Sequence, residues 1–121
     1  MATILIADDA SFVRSMLKFI VEDAGHEVIG MANDAIEVVQ MYKDLKPDLV
    51  TLDIMMNGTN GITALKEIMA YDPKAKVIMV SAMGMENTKQ ECIKLGASGF
   101  IRKPFDSDEI IANINTIISK S

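Results

Sequence analysis

Aspartates at positions 8, 9 and 53, a serine at 81 and a lysine at 103 each stand where a short apolar run stops: ILIADD, LVTLD, VIMVSA and FIRKPF. Taken singly, Asp8-Asp9 reads as a solvated turn or helix cap, Ser81 as a cap, and Lys103 before Pro104 as a surface lysine at a rigid turn. Brought together they could do chemistry. Three carboxylates in one place repel one another unless a cation or a proton offsets them. Magnesium suits such a set, because it takes oxygen ligands, uses one or two carboxylates and leaves other positions to water and phosphate oxygens. A lysine offers an incoming phosphoryl group a point charge, a hydroxyl offers it a donor, and a central carboxylate can attack it as a nucleophile. Positioning and charge neutralisation carry most of phosphoryl-transfer catalysis. Asp53 as nucleophile, with Asp8, Asp9, Ser81 and Lys103 around it, is therefore a sufficient set.

The residues converge only if the apolar runs lie side by side and in parallel. Runs rich in Ile, Val and Leu at 4–7, 28–32, 49–52, 77–80 and 99–101 lack strict alternation, as strands buried on both faces do. Between and after them, apolar residues fall at helical spacing: Val13, Met16, Leu17, Ile20 and Ala24, then Ile36, Val39 and the 42–45 segment, then Leu65, Ile68 and Met69, and last Ile110, Ile114, Ile117 and Ile118. A helix at about 86–95 offers only Cys92, Ile93 and Leu95 as anchors and is expected to be the most loosely held. Gly25, Pro47, Pro73 and Gly96 punctuate the helix ends. Strands alternating with helices imply a doubly wound α/β fold, with a five-stranded parallel sheet and helices on both faces. In such a sheet ligands bind beyond the carboxyl ends of the strands, the edge on which all the polar residues above fall.

The segment TLDIMMNGTNG carries two Asn-Gly pairs, the strongest short-range signal for a hairpin. The following ITALKEIMAY is helical in composition, so the expectation is a flexible loop into a helix capped by Asn60, and not a ribbon.

With 121 residues and 50% hydrophobic content, the chain is expected to form one domain over residues 1–121. A formal net charge of -5 offers no basic stripe for nucleic acid. No apolar run approaches the roughly 20 residues that span a bilayer. A single cysteine, Cys92, and an N-terminus without a signal-peptide core point to an intracellular protein. Most of the ten methionines read as core filling, Met83 and Met85 as partner contacts, and His26 as a surface residue.

IADDASFVRSML, the strand-end Asp53, VSAMG and IRKPF, in this order and spacing, resemble the response-regulator receiver domain over the whole chain. The resemblance implies a flavodoxin-like sheet of order 2-1-3-4-5 with five helices. It makes Asp53 the phosphoacceptor, Asp9 and Asp53 direct Mg2+ ligands, Asp8 a ligand through water, and Met55 a ligand through its backbone carbonyl. Lys103 would hold a phosphoryl oxygen beside a cis bond to Pro104, Ser81 would close onto the phosphoryl group, and Phe100 would turn into the space Ser81 vacates. Such a switch biases a bistable element. The implied partners are a histidine kinase of the chemotaxis type and a motor switch protein or adaptor, of a flagellar or archaellar motor, bound through helix 4, strand 5 and helix 5. The implied setting is a cytoplasmic monomer that binds neither nucleic acid nor membrane.

Other readings are a phosphorelay intermediate of another pathway and a receiver fold that docks without being phosphorylated. A phosphatase of the haloacid dehalogenase type would need its nucleophile after the first strand and a second aspartate two residues on, whereas Asp8 and Asp9 are adjacent. A flavin-binding domain would need a phosphate loop where these two carboxylates stand. The chain departs from the family's usual Met-Pro-x-Met-Asp-Gly at 56–61: Asn57 in place of proline is expected to free the loop and weaken magnesium binding. Met55 and Met83 lack groups to orient a hydrolytic water, so the acyl phosphate is expected not to be unusually short-lived.

Overall fold

The structure, a computed structural model, describes residues 1–82 and 86–120. Met83 and Met85 lie outside the described residues. In chain order the elements are β1 (Thr3–Ala7), α1 (Ser11–Asp23), β2 (Glu27–Ala32), α2 (Ala35–Leu45), β3 (Leu49–Asp53), β4 (Met55–Met56), β5 (Thr59–Asn60), α3 (Gly61–Tyr71), β6 (Val77–Ser81), a 3-10 turn (Glu86–Thr88), α4 (Lys89–Lys94), β7 (Gly99–Arg102) and α5 (Ser107–Ser119).

The main sheet has the order β2-β1-β3-β6-β7, all neighbours parallel, which is 2-1-3-4-5 once the two-residue strands β4 and β5 are set aside. Successive side chains of a strand point to opposite faces, and here both faces are covered. Leu5, Val50, Leu52, Val77 and Met79 pack with Val38, Tyr42, Leu65, Ile68 and Cys92 from α2, α3 and α4. Ile4, Ile6, Leu49, Ile78 and Ile101 pack with Leu17, Val21, Ile110 and Ile114 from α1 and α5. Every residue of β3 and β6 is buried, which is why those runs show no polar alternation. Among the described residues no helix is long and apolar enough to cross a membrane.

Helix faces differ in detail from their reading in the sequence. In α1 the buried stripe is Leu17, Ile20 and Val21, and Ala24 is exposed at the C-cap. In α2 it is Ala35, Val38, Val39 and Tyr42: Val39 and Tyr42 turn inward as expected, whereas Ile36 is 76% exposed and Leu45 40%. Helix α4 buries only Cys92, and Ile93 faces solvent, in line with a loosely anchored element. His26 is half-buried, its Nδ1 accepting a hydrogen bond from the Ala2 amide at 3.1 Å, so the surface assignment is corrected.

The hairpin reading also needs correction. Asn57 and Gly58 have φ of 48° and 75°, the left-handed pair that a two-residue type I′ turn requires. They join β4 to β5 in a small antiparallel ribbon with Met55 opposite Asn60 and Met56 opposite Thr59. The ribbon ends at once because Asn60 caps α3, its Oδ1 accepting from the Ile62 amide at 2.8 Å. The first Asn-Gly pair thus makes the turn, and the second starts the helix.

Candidate functional site

Asp8 follows β1, Asp53 ends β3, Ser81 ends β6 and Lys103 follows β7, so parallel register delivers all four to one edge. The Lys103 amide donates to the Ser81 carbonyl at 2.7 Å, which extends the β6–β7 pairing by one residue, and the Lys103-Pro104 bond is cis. Carboxylate oxygens of Asp8, Asp9 and Asp53 lie within 4.8 Å of one another. The Lys103 ammonium sits among them, 2.8 Å from Asp8 Oδ2 and 3.2 Å from Asp53 Oδ2. Asp8 and Asp53 are buried and Asp9 is exposed. Asp8 Oδ1 accepts from the Ala10 amide at 2.9 Å, which leaves Oδ2 to face the lysine.

Two carboxylates buried beside a third make ionisation costly. Burial, with the charge of Asp8 next, pushes Asp53 from 3.8 up to about 6 despite the opposing pull of Lys103. Burial alone would lower Lys103, but the carboxylates of Asp8 and Asp53 outweigh it and raise it. The charged Asp53 is therefore a cost to the metal-free fold, present in full above about pH 6 and relieved as pH falls toward 3.8. Asp53→Asn is expected to stabilise the metal-free protein at neutral pH by about 1–2 kcal/mol, allowing for screening by solvent and Lys103. The gain should shrink as the solution is acidified, and denaturant titrations at neutral and acid pH would show both effects.

The donor set fits a hard divalent cation: all-oxygen, with three carboxylates against one lysine. Met55, two residues past Asp53, sits in β4 and is 52% exposed. Ser81 is fully buried, its Oγ 3.5 Å from the Ala82 carbonyl. Phe100 is half-buried against the α2–α3–α4 side of the core, and it lines a cavity of about 410 Å³ with Lys89, Arg102, Pro104 and Glu109.

Three residues with no role in the sequence reading shape the site. Thr59 donates to the Met56 carbonyl and accepts from the Ala35 amide at 2.8 Å, so the β4–β5 ribbon is fastened to the start of α2. Gly61 lies against the backbone of Asp53. Arg14 donates to the Asp8 carbonyl at 2.7 Å. Gly61 could have been singled out as the glycine that ends the 56–61 run, and Arg14 as the one cation of IADDASFVRSML. Asn57 was expected to loosen the loop, yet it makes two hydrogen bonds that tie it down: its amide donates to Asp9 Oδ2 at 2.9 Å and its side chain to the Asn33 carbonyl at 2.7 Å. Proline at 57 could neither adopt φ of 48° nor make the bond to Asp9. Asn57→Pro is thus expected to weaken magnesium binding and to cost more than about 1 kcal/mol of stability, readable from paired magnesium and denaturant titrations.

Residues 4–115 match the family described as the response regulator receiver domain. The chain is 51% identical over 114 residues to the chemotaxis protein CheY of Thermotoga maritima, covering 94% of this chain and 95% of that one. It is 50% identical over 111 residues to the CheY of Listeria monocytogenes, covering 92% and 93%. Among solved structures, a CheX-CheY-BeF3-Mg2+ complex from Borrelia burgdorferi superposes with a TM-score of 0.91 at 38% identity, covering 96% of this chain and 88% of that one.

Proposed function

The chain belongs to the response-regulator receiver family, and from that premise we propose that it is a phosphorylation-activated signalling protein of a two-component system, with Asp53 as its phosphoacceptor. Receiver domains of this kind are signalling proteins and not enzymes in the ordinary sense, and the similarity to chemotaxis regulators extends along nearly the whole chain. The observation that carries the proposal is the placement of Asp53 at a strand end, buried, with two further carboxylates and the Lys103 ammonium around it.

Asp8, Asp9 and Asp53, with the Met55 carbonyl, would hold Mg2+, and bound there it would neutralise charge on the phosphoryl oxygens. A carboxylate oxygen of Asp53 attacks the phosphorus of a kinase phosphohistidine; the P–O bond forms as the P–N bond breaks, and the imidazole leaves. Lys103, already 3.2 Å from the nucleophile, moves its charge to a phosphoryl oxygen. Ser81 closes onto the group, Phe100 turns inward, and the face made by α4, β7 and α5 changes. The kinase would be of the chemotaxis type, and the partner on that face a motor switch protein or an adaptor, with the protein acting as a cytoplasmic monomer. In the Borrelia complex a CheY is bound to a second protein, CheX, which supports action through protein–protein contact. The altered 57–60 loop is the one hint of an unphosphorylated docking module, and the hydrogen bond from Asn57 to Asp9 weakens that hint.

A chemotaxis-type kinase carrying labelled phosphohistidine tests the proposal. Label should pass to the wild type and not to Asp53→Asn; label that stays on the kinase with both would contradict it. Met55→Asn, which offers an amide to a hydrolytic water, should shorten the life of the phosphorylated state several-fold, followed as loss of label with time.

A further inference from the structure

Arg14 lies in the first turn of α1, close to the acidic cluster but pointed at backbone and not at a carboxylate. Its Nη1 donates to the Asp8 carbonyl at 2.7 Å, a short, charge-assisted bond. The Asp8 amide donates to the Ala32 carbonyl of β2 at 3.0 Å. The residue is thus held on its amide side by the sheet and on its carbonyl side by Arg14. That carbonyl belongs to the peptide joining Asp8 to Asp9, so its direction sets where Asp9 leaves the strand end. Asp9 is exposed, and its carboxylate is anchored by the Asn57 amide at 2.9 Å. The start of α1 lacks the usual support, because its N-cap is Ala10, which has no side-chain oxygen. The Ala10 amide bonds instead to Asp8 Oδ1, and Arg14 reaches back across the same turn.

We propose that Arg14 is a positioning residue: by holding the Asp8–Asp9 peptide it presets the Asp9 carboxylate for a divalent cation, and it touches neither the cation nor the reacting atoms. The inference rests on reading the acidic cluster as the magnesium site. Two physical effects of removing Arg14 have opposite signs. Coulomb's law alone says that losing a positive charge near the site tightens cation binding. Loss of a group that orients a ligand loosens it, typically by about tenfold to a hundredfold.

Magnesium titration by calorimetry of the wild type, Arg14→Lys and Arg14→Gln separates them. Arg14→Gln should bind about tenfold more weakly or worse. Arg14→Lys, which keeps the charge but has a flexible single-point head, should fall between it and the wild type. With a small phosphodonor, the magnesium concentration for half-maximal phosphorylation should rise in step while the rate at saturating magnesium stays at the wild-type value, a split that general loss of structure would not give. Either variant binding as tightly as the wild type or tighter overturns the role of Arg14, and Arg14→Lys alone decides it if Arg14→Gln does not fold. A wild type that binds no magnesium overturns the reading of the cluster itself, a result distinct from both.

Discussion

Gly61→Ala is expected to cost the protein about 3 kcal/mol or more in stability and to slow phosphoryl acceptance about a hundredfold. A Cβ at this position would stand 2.0 Å from the Asp53 carbonyl oxygen, 3.0 Å from its carbon and 3.1 Å from the Ile54 Cα. All three are backbone atoms, so no side chain can swing aside to make room. Gly61 is also bound to this segment, its amide donating to the Ile54 carbonyl. Relief can come only by moving α3 away from β3 or by moving Asp53 itself, and the second displaces the proposed nucleophile relative to Lys103 and the other carboxylates. Gly58→Ala is the matched control. Gly58 has φ of 75° but nothing within 4 Å of its Cβ position, so the expected cost is the left-handed strain alone, about 1 kcal/mol. Denaturant titration and phosphorylation rates of the two variants test the comparison. A Gly61→Ala protein no worse than Gly58→Ala would show that the close approach to Asp53 does not govern the site.

Lys103→Met is expected to move two properties in opposite directions. The ammonium is the nearest positive charge to both Asp8 and Asp53, at 2.8 and 3.2 Å. Removing one partner of a buried ion pair leaves uncompensated charge, at a cost of about 3 kcal/mol when protonation of a carboxylate offsets part of it. Methionine keeps the apolar stem, which with Val13, Met16, Ala82, Pro104 and Phe105 lines a cavity of about 460 Å³. The loss should therefore be electrostatic. A divalent cation can replace the missing charge, so magnesium should bind about tenfold more tightly and recover most of the stability. Phosphoryl acceptance should nonetheless fall about a hundredfold, because in the proposed reaction the Lys103 ammonium also contacts a phosphoryl oxygen. Calorimetry, thermal unfolding with and without magnesium, and phosphorylation rates check each part. Unchanged magnesium affinity would mean that the lysine is not the counter-charge of the cluster.

Much of this architecture was legible in the sequence because burial leaves a plain mark. Strands β3 and β6 are covered on both faces and read as unbroken apolar runs, and each ends on a polar residue that has no packing reason to be there. The edge residues Asp8, Asp9, Asp53, Ser81 and Lys103 follow from that pattern plus parallel pairing. What the sequence hid is set by geometry that one-dimensional spacing does not carry. Ile36 was assigned to the buried face of α2 because it is as apolar as its buried neighbours, and only packing decides which of them turns inward. The Asn57-Gly58 turn was undervalued because a hairpin of two residue pairs contributes almost nothing to hydrophobic pattern. The contributions of Arg14, Thr59 and Gly61 pass through backbone atoms, as donors, acceptors or close contacts, and backbone is the same at every position in a sequence.

The central claim is that Asp53 accepts a phosphoryl group through chemistry resident in this chain. The direct measurement is the intact mass of the protein after incubation with magnesium and a small phosphodonor, with a chelated sample and Asp53→Asn alongside. One added phosphoryl group is predicted for the wild type with magnesium, and none for the chelated sample or the variant. An unmodified wild type, or a phosphoryl group added to Asp53→Asn as readily as to the wild type, would contradict it.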